Sequence, residues 1–482
     1  MKYRPSRNFV YLMVALCPLT VALYFGLMPE LPGFEARAIP GEIAFSSATP
    51  PAGQKKVAKR TATKSVRAEE WMEEGYENFM KWDNNPWKSD RHSSFGGHYL
   101  QLLSSKDPKD QAYCREIGRQ VEAWYRKLML RYPELAVEMR TVPDEENAFL
   151  KWLELSARVK EERKGQLSML GFPPSLEHHL MSDGPWDPDA ATTWLAQNQS
   201  RMDEIHAIAG MTDASVNGIA VERWTDVPVR LALDCARSLM FEARLAAEQG
   251  DPAAALESIR AAKNFSDHFM RVESPTLWSQ TIQMIIQRDL TDLTFNCLLQ
   301  TLPAGSVEAD AWQTALNPAI APPSEFARSM KGEWGSMIRY WVLPIILDTE
   351  EPDRVTDGAE LLDTQAIPYR RVVRTFEQGE LTDIPNLDDS LAVDFSHLSR
   401  NGRKLGEILS TGADHWSESW KRAQSGHAMT LAAFAVMKGQ PVPKDPIYGK
   451  EYTWDPTTRV LSMPSGEDFE RMKIKPITIP RH

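Results

Sequence analysis

Over most of this 482-residue chain the apolar positions recur at helical rather than strand spacing. The exception comes first. Residues 9–28, "FVYLMVALCPLTVALYFGLM", carry no charge. At 1.5 Å per residue such a run measures about 30 Å, the thickness of a bilayer's hydrocarbon core. From residue 68 the pattern turns amphipathic. "AEEWMEEGYENFMKW" places Trp71, Tyr76, Phe79 and Trp82 near one face, and "REIGRQVEAWYRKLMLRY" does so with Ile117, Val121, Trp124, Leu128 and Leu130. Pro143, followed by Asp144, Glu145 and Glu146, predicts a helix start with acids where the dipole favours them. Asp187 and Pro188 predict a second start, with Gly210 as its stop, and Ser274 before Pro275 predicts a third. The signal weakens between residues 340 and 400, where "YWVLPIIL" is too short to span a membrane. A further helix ends at Gly439. Beyond it, residues 451–454 and 459–462 read as short strands, with Tyr448-Gly449 as a turn.

The clearest pair of helices is "LALDCARSLMFEARLAAEQGDPAAALESIRAAKNFSDHFM". Gly250 breaks it, Asp251 can cap, and Pro252 suits the first helical position. Ala243, Ala246, Ala254, Ala255 and Ala262 are small enough for two antiparallel helices to approach closely. The pair resembles one tetratricopeptide unit, with Ala255, Ile259 and Ala262 matching the small-large-small pattern of its second helix. No second copy follows at that period, so the expected body is an irregular bundle of helical hairpins rather than an array.

Charge refines the picture at the N-terminus. Lys2, Arg4 and Arg7 precede the apolar run and only Arg37 follows within twenty residues, which predicts a cytoplasmic N-terminus and an exported body. The length favours an uncleaved anchor. A cleaved signal ending near Ala36-Arg37-Ala38 is the alternative. Cys17 lacks the small preceding residue of a lipoprotein site, since Leu16 stands there. Residues 29–68 are rich in Pro, Gly, Ala, Ser and Thr, and predict a tether. Residues 1–68 hold ten Lys and Arg against Glu30, Glu35 and Glu42, which leaves −18 for residues 69–482 within a formal total of −11. An acidic body repels phosphate backbones, so no nucleic acid partner is expected. Cys114, Cys235 and Cys297 are widely spaced and predict buried free thiols.

The C-terminal residues Gly439, Asp445, Pro446, Gly449, Tyr452 and Ser462 resemble a module of uncharacterised, membrane-anchored bacterial helical proteins, distantly similar to type II secretion pseudopilins. The resemblance covers about 45 residues and implies a small hairpin after a long helix. Pseudopilin processing is not implied, because Asn8 precedes Phe9 and Met13 stands where those proteins carry Glu. "SGEDFERM" replaces their run of aspartates and glycines, so no calcium site is implied.

No nucleophile elbow, Walker loop, zincin motif, EF-hand loop or Cys-x-x-Cys is present, which sets aside the families built on them. His178 and His179 point apart on a helix and, with Glu177, make at most half a metal site. His415 and His427 are twelve residues apart. His98 follows two glycines in "SFGGHYL" and reads either as a turn before a helix or as a group near a ligand. Asp144, Glu145 and Glu146 read as a helix-start cluster rather than a glycosidase pair. Fifteen tryptophans are the compositional oddity. Trp82, Trp87, Trp416 and Trp420 fit a packed core or, less simply, a sugar- or peptide-binding groove.

The expected fold is mainly α: an irregular bundle of antiparallel helical hairpins, partly tetratricopeptide-like, with a small C-terminal β-hairpin, preceded by one transmembrane helix. The expected organisation is a cytoplasmic N-terminus (1–8), a transmembrane signal-anchor (9–28), a disordered basic tether (29–68), a helical body (69–438) and a hairpin module with tail (439–482). No catalytic residue, cofactor or metal ligand is assigned. The expected role is a non-catalytic interaction module in the cell envelope, single-pass in the inner membrane, with a protein partner and a periplasmic body. The alternative is an exported hydrolase acting on envelope glycans or peptides through a Trp-lined acidic cleft.

Overall fold

Asp251 shows how this chain starts its helices. Its carboxylate accepts the backbone N–H groups of Ala253 and Ala254, and Pro252 takes the position that needs no donor. One residue earlier Gly250 adopts φ +73°, and the Asp251 N–H closes back on the Ala246 carbonyl, sealing the preceding helix. The computed structural model describes residues 98–481 except 100–101, 103–104, 163–169, 174, 177–185, 218, 220–228, 304, 317–322, 349–354, 379–392 and 411–412. The apolar run 9–28, the tether, the aromatic face of residues 71–82, His178 and His179 lie outside the described residues. Among the described residues no helix is long and apolar enough to cross a membrane.

The fold is mainly helical. In chain order the helices are α1 (Pro108–Arg131), α2 (Ala148–Glu162), α3 (Pro188–Gln197), α4 (Gln199–Ala209), α5 (Val229–Glu248), α6 (Pro252–Arg271) and α7 (Leu277–Leu293). After them come α8 (Ala309–Leu316), α9 (Pro323–Met337), α10 (Leu343–Leu347), α11 (Gly358–Gln378), α12 (Arg400–Ser410) and α13 (Ala413–Met437). Wide π-turns follow α7 at Thr294–Leu298 and α9 at Ile338–Val342. The α5–α6 pair packs as expected, with Ala243, Ala255, Ile259 and Ala262 fully buried along it.

Several boundaries differ from the sequence expectation. Residues 144–146 form a turn, and α2 starts only at Ala148, where the Asn147 side chain accepts the Phe149 and Leu150 N–H groups. Thr276, not Ser274, caps α7, exchanging hydrogen bonds with Ser279. Leu130 is 84% exposed instead of sharing the buried face of Ile117, Val121, Trp124 and Leu128. It stands two residues past Leu128, roughly 200° around the helix.

Buried side chains form two cores. The first joins α2 to α8, the later part of α13 and the C-terminal sheet. The second joins α1, α9 to α12 and Trp420 of α13. Two helices belong to both. On α13, Trp420 enters the second core while Met429, Ala433 and Phe434 enter the first. On α7, Leu277 enters the second and Ile282, Ile286 and Leu290 the first.

The C-terminal module is a three-stranded antiparallel sheet rather than a hairpin alone: β1 (Thr453–Asp455), β2 (Val460–Ser462) and β3 (Ile477–Thr478), in that order, with α14 (Glu467–Met472) between the last two. Asp445 organises its entry. Fully buried, it accepts the N–H groups of Ile447 and Tyr448 and the Tyr452 hydroxyl, while Gly449 turns at φ +65°. Leu461 and Ile477 join the first core, and Gln300 donates to the Thr478 carbonyl, so the module is docked on the helices.

Candidate functional site

Three groups of polar side chains are held inside this body, and each ties elements that are distant in sequence. The first contains His98. Its Nδ1 lies 2.6 Å from Asp348 Oδ2, and the Tyr113 hydroxyl donates to Asp348 Oδ1 at 2.5 Å. All three are buried, and the two rings meet edge to face with centroids 5.7 Å apart. Tyr113 sits in the second turn of α1, whose start is fixed by the Asp107 cap. Asp348 is the residue that ends α10. His98 is helical rather than a turn residue. A carboxylate on Nδ1 orients an imidazole as in catalytic dyads, but at 1% exposure His98 does not meet solvent. This arrangement anchors the start of the described chain to α1 and α10.

The second group lies where α9 crosses the connection between α6 and α7. Arg328 donates to the Met270 and Val272 carbonyls, Gly332 is pressed against the Pro275 carbonyl, and Glu333 Oε2 accepts the Leu277 N–H at 3.0 Å. Burial pushes the Glu333 carboxyl group up to about 7, a shift that the Leu277 N–H partly opposes. Tyr369 of α11 faces it, and burial and the Glu333 charge both raise that phenol. Glu333 itself is half-buried as a residue, with its carboxyl group turned inward against the Leu277 N–H. A carboxyl group that exchanges its proton near neutrality at the contact between two cores is a pH-sensitive joint.

The third group joins α6, α7 and α13. Lys263 Nζ lies 2.5 and 2.6 Å from the two oxygens of Asp267, which also accepts Gln283 Nε2 at 3.0 Å. His427 stands near this pair, and burial, with Lys263 beside it, lowers its pKa to about 4. His268, on the same helix as Asp267, is likewise lowered to about 4 by burial and meets the Met211 carbonyl at 2.9 Å. Both imidazoles are neutral at pH 7. Among the described residues, no three His, Cys, Asp or Glu side chains come together to hold a metal ion.

The tryptophans resolve in favour of packing wherever they are described. Trp420 is buried against Phe326 and Phe376. Trp312 and Trp334 are also fully enclosed. An aromatic recess lined by Phe149, Trp152, Phe265, His268 and Phe269 holds about 170 Å³ of atom-free space but is too narrow to admit a water molecule. Trp82, Trp87 and the Trp416 side chain lie outside the described residues, as does the His415 side chain. Cys114, Cys235 and Cys297 are free thiols.

Sequence reasoning singled out His98 and His427 but missed Asp348, Glu333 and the Lys263–Asp267 pair. The first has its partner 250 positions away. Glu333 follows Gly332, and a glycine inside an amphipathic helix was the available sign of a close crossing. Compared with family models, curated proteins and solved structures, the chain matches none.

The joint at Glu333 has a definite pH signature. Its folded-state pKa exceeds the ordinary 4.5, so the folded protein holds the extra proton between about 4.5 and 7. Its contribution therefore favours folding below that window and is lost as pH rises through it. Between pH 5 and 8 the expected loss is about 1–3 kcal/mol. Glu333→Gln stays neutral and keeps an acceptor for Leu277. Urea unfolding at several pH values should show this fall in the wild type and not in the variant. Parallel profiles would remove the joint.

Proposed function

We propose that the chain is a membrane-tethered protein of the cell envelope whose helical body binds another protein. The carrying observation is the uncharged run of residues 9–28, preceded by Lys2, Arg4 and Arg7 and followed by an acidic body. On this reading the run stays in the inner membrane, the N-terminus stays in the cytoplasm and the body lies outside. The helical hairpins, chiefly α5–α6, are of the kind that other interaction modules use. The C-terminal likeness to membrane-anchored bacterial proteins adds architectural support, through Asp445, Gly449 and Tyr452 in the turn they build.

Crosslinking in intact membranes, followed by mass spectrometry of the tagged protein, tests both halves. The expected result is a reproducible protein partner together with recovered peptides from residues 1–28. Release of the protein by alkaline carbonate would defeat the tether, and a tethered protein that crosslinks to nothing would defeat the interaction role.

One observation favours the alternative, an exported hydrolase of envelope glycans or peptides. Burial pushes the Glu333 carboxyl group up to about 7, the range in which a general acid works. Turnover of an envelope polymer that Glu333→Gln abolishes would support that reading.

A further inference from the structure

The end of α1 and one side of α11 form a basic, apolar face on an otherwise acidic body. Arg126, Lys127 and Leu130 share one side of α1 by their spacing. On α11, Asp363, Ile367, Arg370, Arg371 and Arg374 likewise recur at i, i+4, i+7, i+8 and i+11. Two sets of contacts join the helices. Arg131 of α1 makes a forked pair with Asp363, at 3.0 and 2.7 Å. Arg370 and Arg374 both reach Glu134, in the short Pro133–Leu135 turn that follows α1, and Arg370 lies over the Tyr132 ring, 5.5 Å from its centroid.

Within residues 126–134 and 363–374 bases outnumber acids, six against Asp363 and Glu134, with Glu360 and Glu377 at the two ends of the α11 stripe, whereas residues 69–482 as a whole carry −18. Two exposed apolar residues flank the Arg131–Asp363 pair. Among the described residues the exposed large hydrophobics are Leu130 at 84%, Ile367 at 40% and Met139 at 39%. Leu130 adjoins Arg131 and Ile367 sits between Asp363 and Arg370 on its helix, whereas Met139 lies beside Arg140, which is held by Asp213 and the Arg271 carbonyl away from this face. Scattered exposed leucines need no explanation. Apolar side chains gathered among guanidinium groups do.

We propose that this face seats the body on an anionic lipid surface, an inference that rests on the tethered reading above. Bases attract the headgroup charge, and Leu130 and Ile367 enter the interfacial layer. A chain held by residues 9–28 keeps the face near that surface, where even weak docking is favoured by local concentration.

Full-length protein in nanodiscs of phosphatidylcholine, with or without phosphatidylglycerol, tests this by hydrogen exchange. Peptides spanning residues 126–131 and 367–374 should exchange more slowly only in the anionic discs, and about 0.5 M salt should reverse the effect, because screening at that strength acts within a few Å. Arg126→Glu with Arg371→Glu, both at exposed positions, should abolish the slowing while leaving the circular dichroism spectrum unchanged. Inserted protein with equal exchange in both discs would overturn the proposal. Slowing in native membranes but not in protein-free anionic discs would assign the face to an acidic protein and also overturn it. Failure to insert would refute the tether. Anionic vesicles added to the free protein would then decide the face by the same exchange peptides.

Discussion

Replacing Asp348 by alanine is expected to lower the stability of the body by about 3–5 kcal/mol. The carboxylate is wholly buried and serves two donors at once, the Tyr113 hydroxyl and the His98 ring. Alanine removes the acceptor both share and leaves space that the surrounding helices cannot close without moving. The loss should fall on three elements together. α10 ends at Asp348, Tyr113 carries the first turns of α1, and His98 fixes the approach from the N-terminal side. Asp348→Asn separates charge from shape. The amide keeps one acceptor but turns a nitrogen toward one donor, so a loss of about 2 kcal/mol is expected. Guanidinium unfolding at pH 7 gives both values, and hydrogen exchange in the segment around Tyr99 and Leu102 locates the effect. If Asp348→Ala unfolds within 1 kcal/mol of wild type, the three side chains are not the tie that the geometry describes.

Local chemistry was readable in the sequence wherever a helix start used its own side chain. Asp251 with Pro252, and Asp187 with Pro188, are such starts, and both cap as expected. Several of the misses share a cause, which is a partner distant in the chain. Asn147 rather than Pro143 sets the start of α2, because its amide is held against Ser215 by bonds at 2.9 and 3.0 Å. α11 lies in the stretch where the sequence signal weakens, and it carries Pro368 inside it. Burial of Leu361, Leu362, Val372, Val373 and Phe376 along one side outweighs the lost backbone bond. β3 is only two residues long, and it pairs because Arg459 binds the Ile479 carbonyl and accepts its N–H through the Arg459 carbonyl. Among the candidate groups, histidines could be noticed as residue types. The carboxylates that matter were indistinguishable, in sequence, from the many solvated ones.

Replacing Gly332 by alanine is the other change expected to cost most, at about 3 kcal/mol or more. An added Cβ would lie 2.1 Å from the Pro275 carbonyl oxygen and 2.8 Å from the carbonyl carbons of Pro275 and Ser274. All three are backbone atoms, so no side chain can rotate aside. Relief requires α9 to draw back from the α6–α7 connection. That movement would stretch the bonds made one turn away by Arg328 to Met270 and Val272, and the adjacent bond from Leu277 to Glu333. The contact between the two cores would therefore open as a unit rather than at one atom. Water reaching Glu333 would return its carboxyl group toward the ordinary range, so the variant should also lose the fall in stability between pH 5 and 8. Gly426→Ala provides the matched control. That position is also inside a helix, but its Cβ would meet nothing within 4 Å, and the gain in helix propensity should raise stability by about 0.5–1 kcal/mol. Two glycine-to-alanine changes with opposite signs would identify the crossing at Gly332 as one of the places where the cores are joined. Equal and small effects at both positions would mean that the helices at that crossing can part without cost.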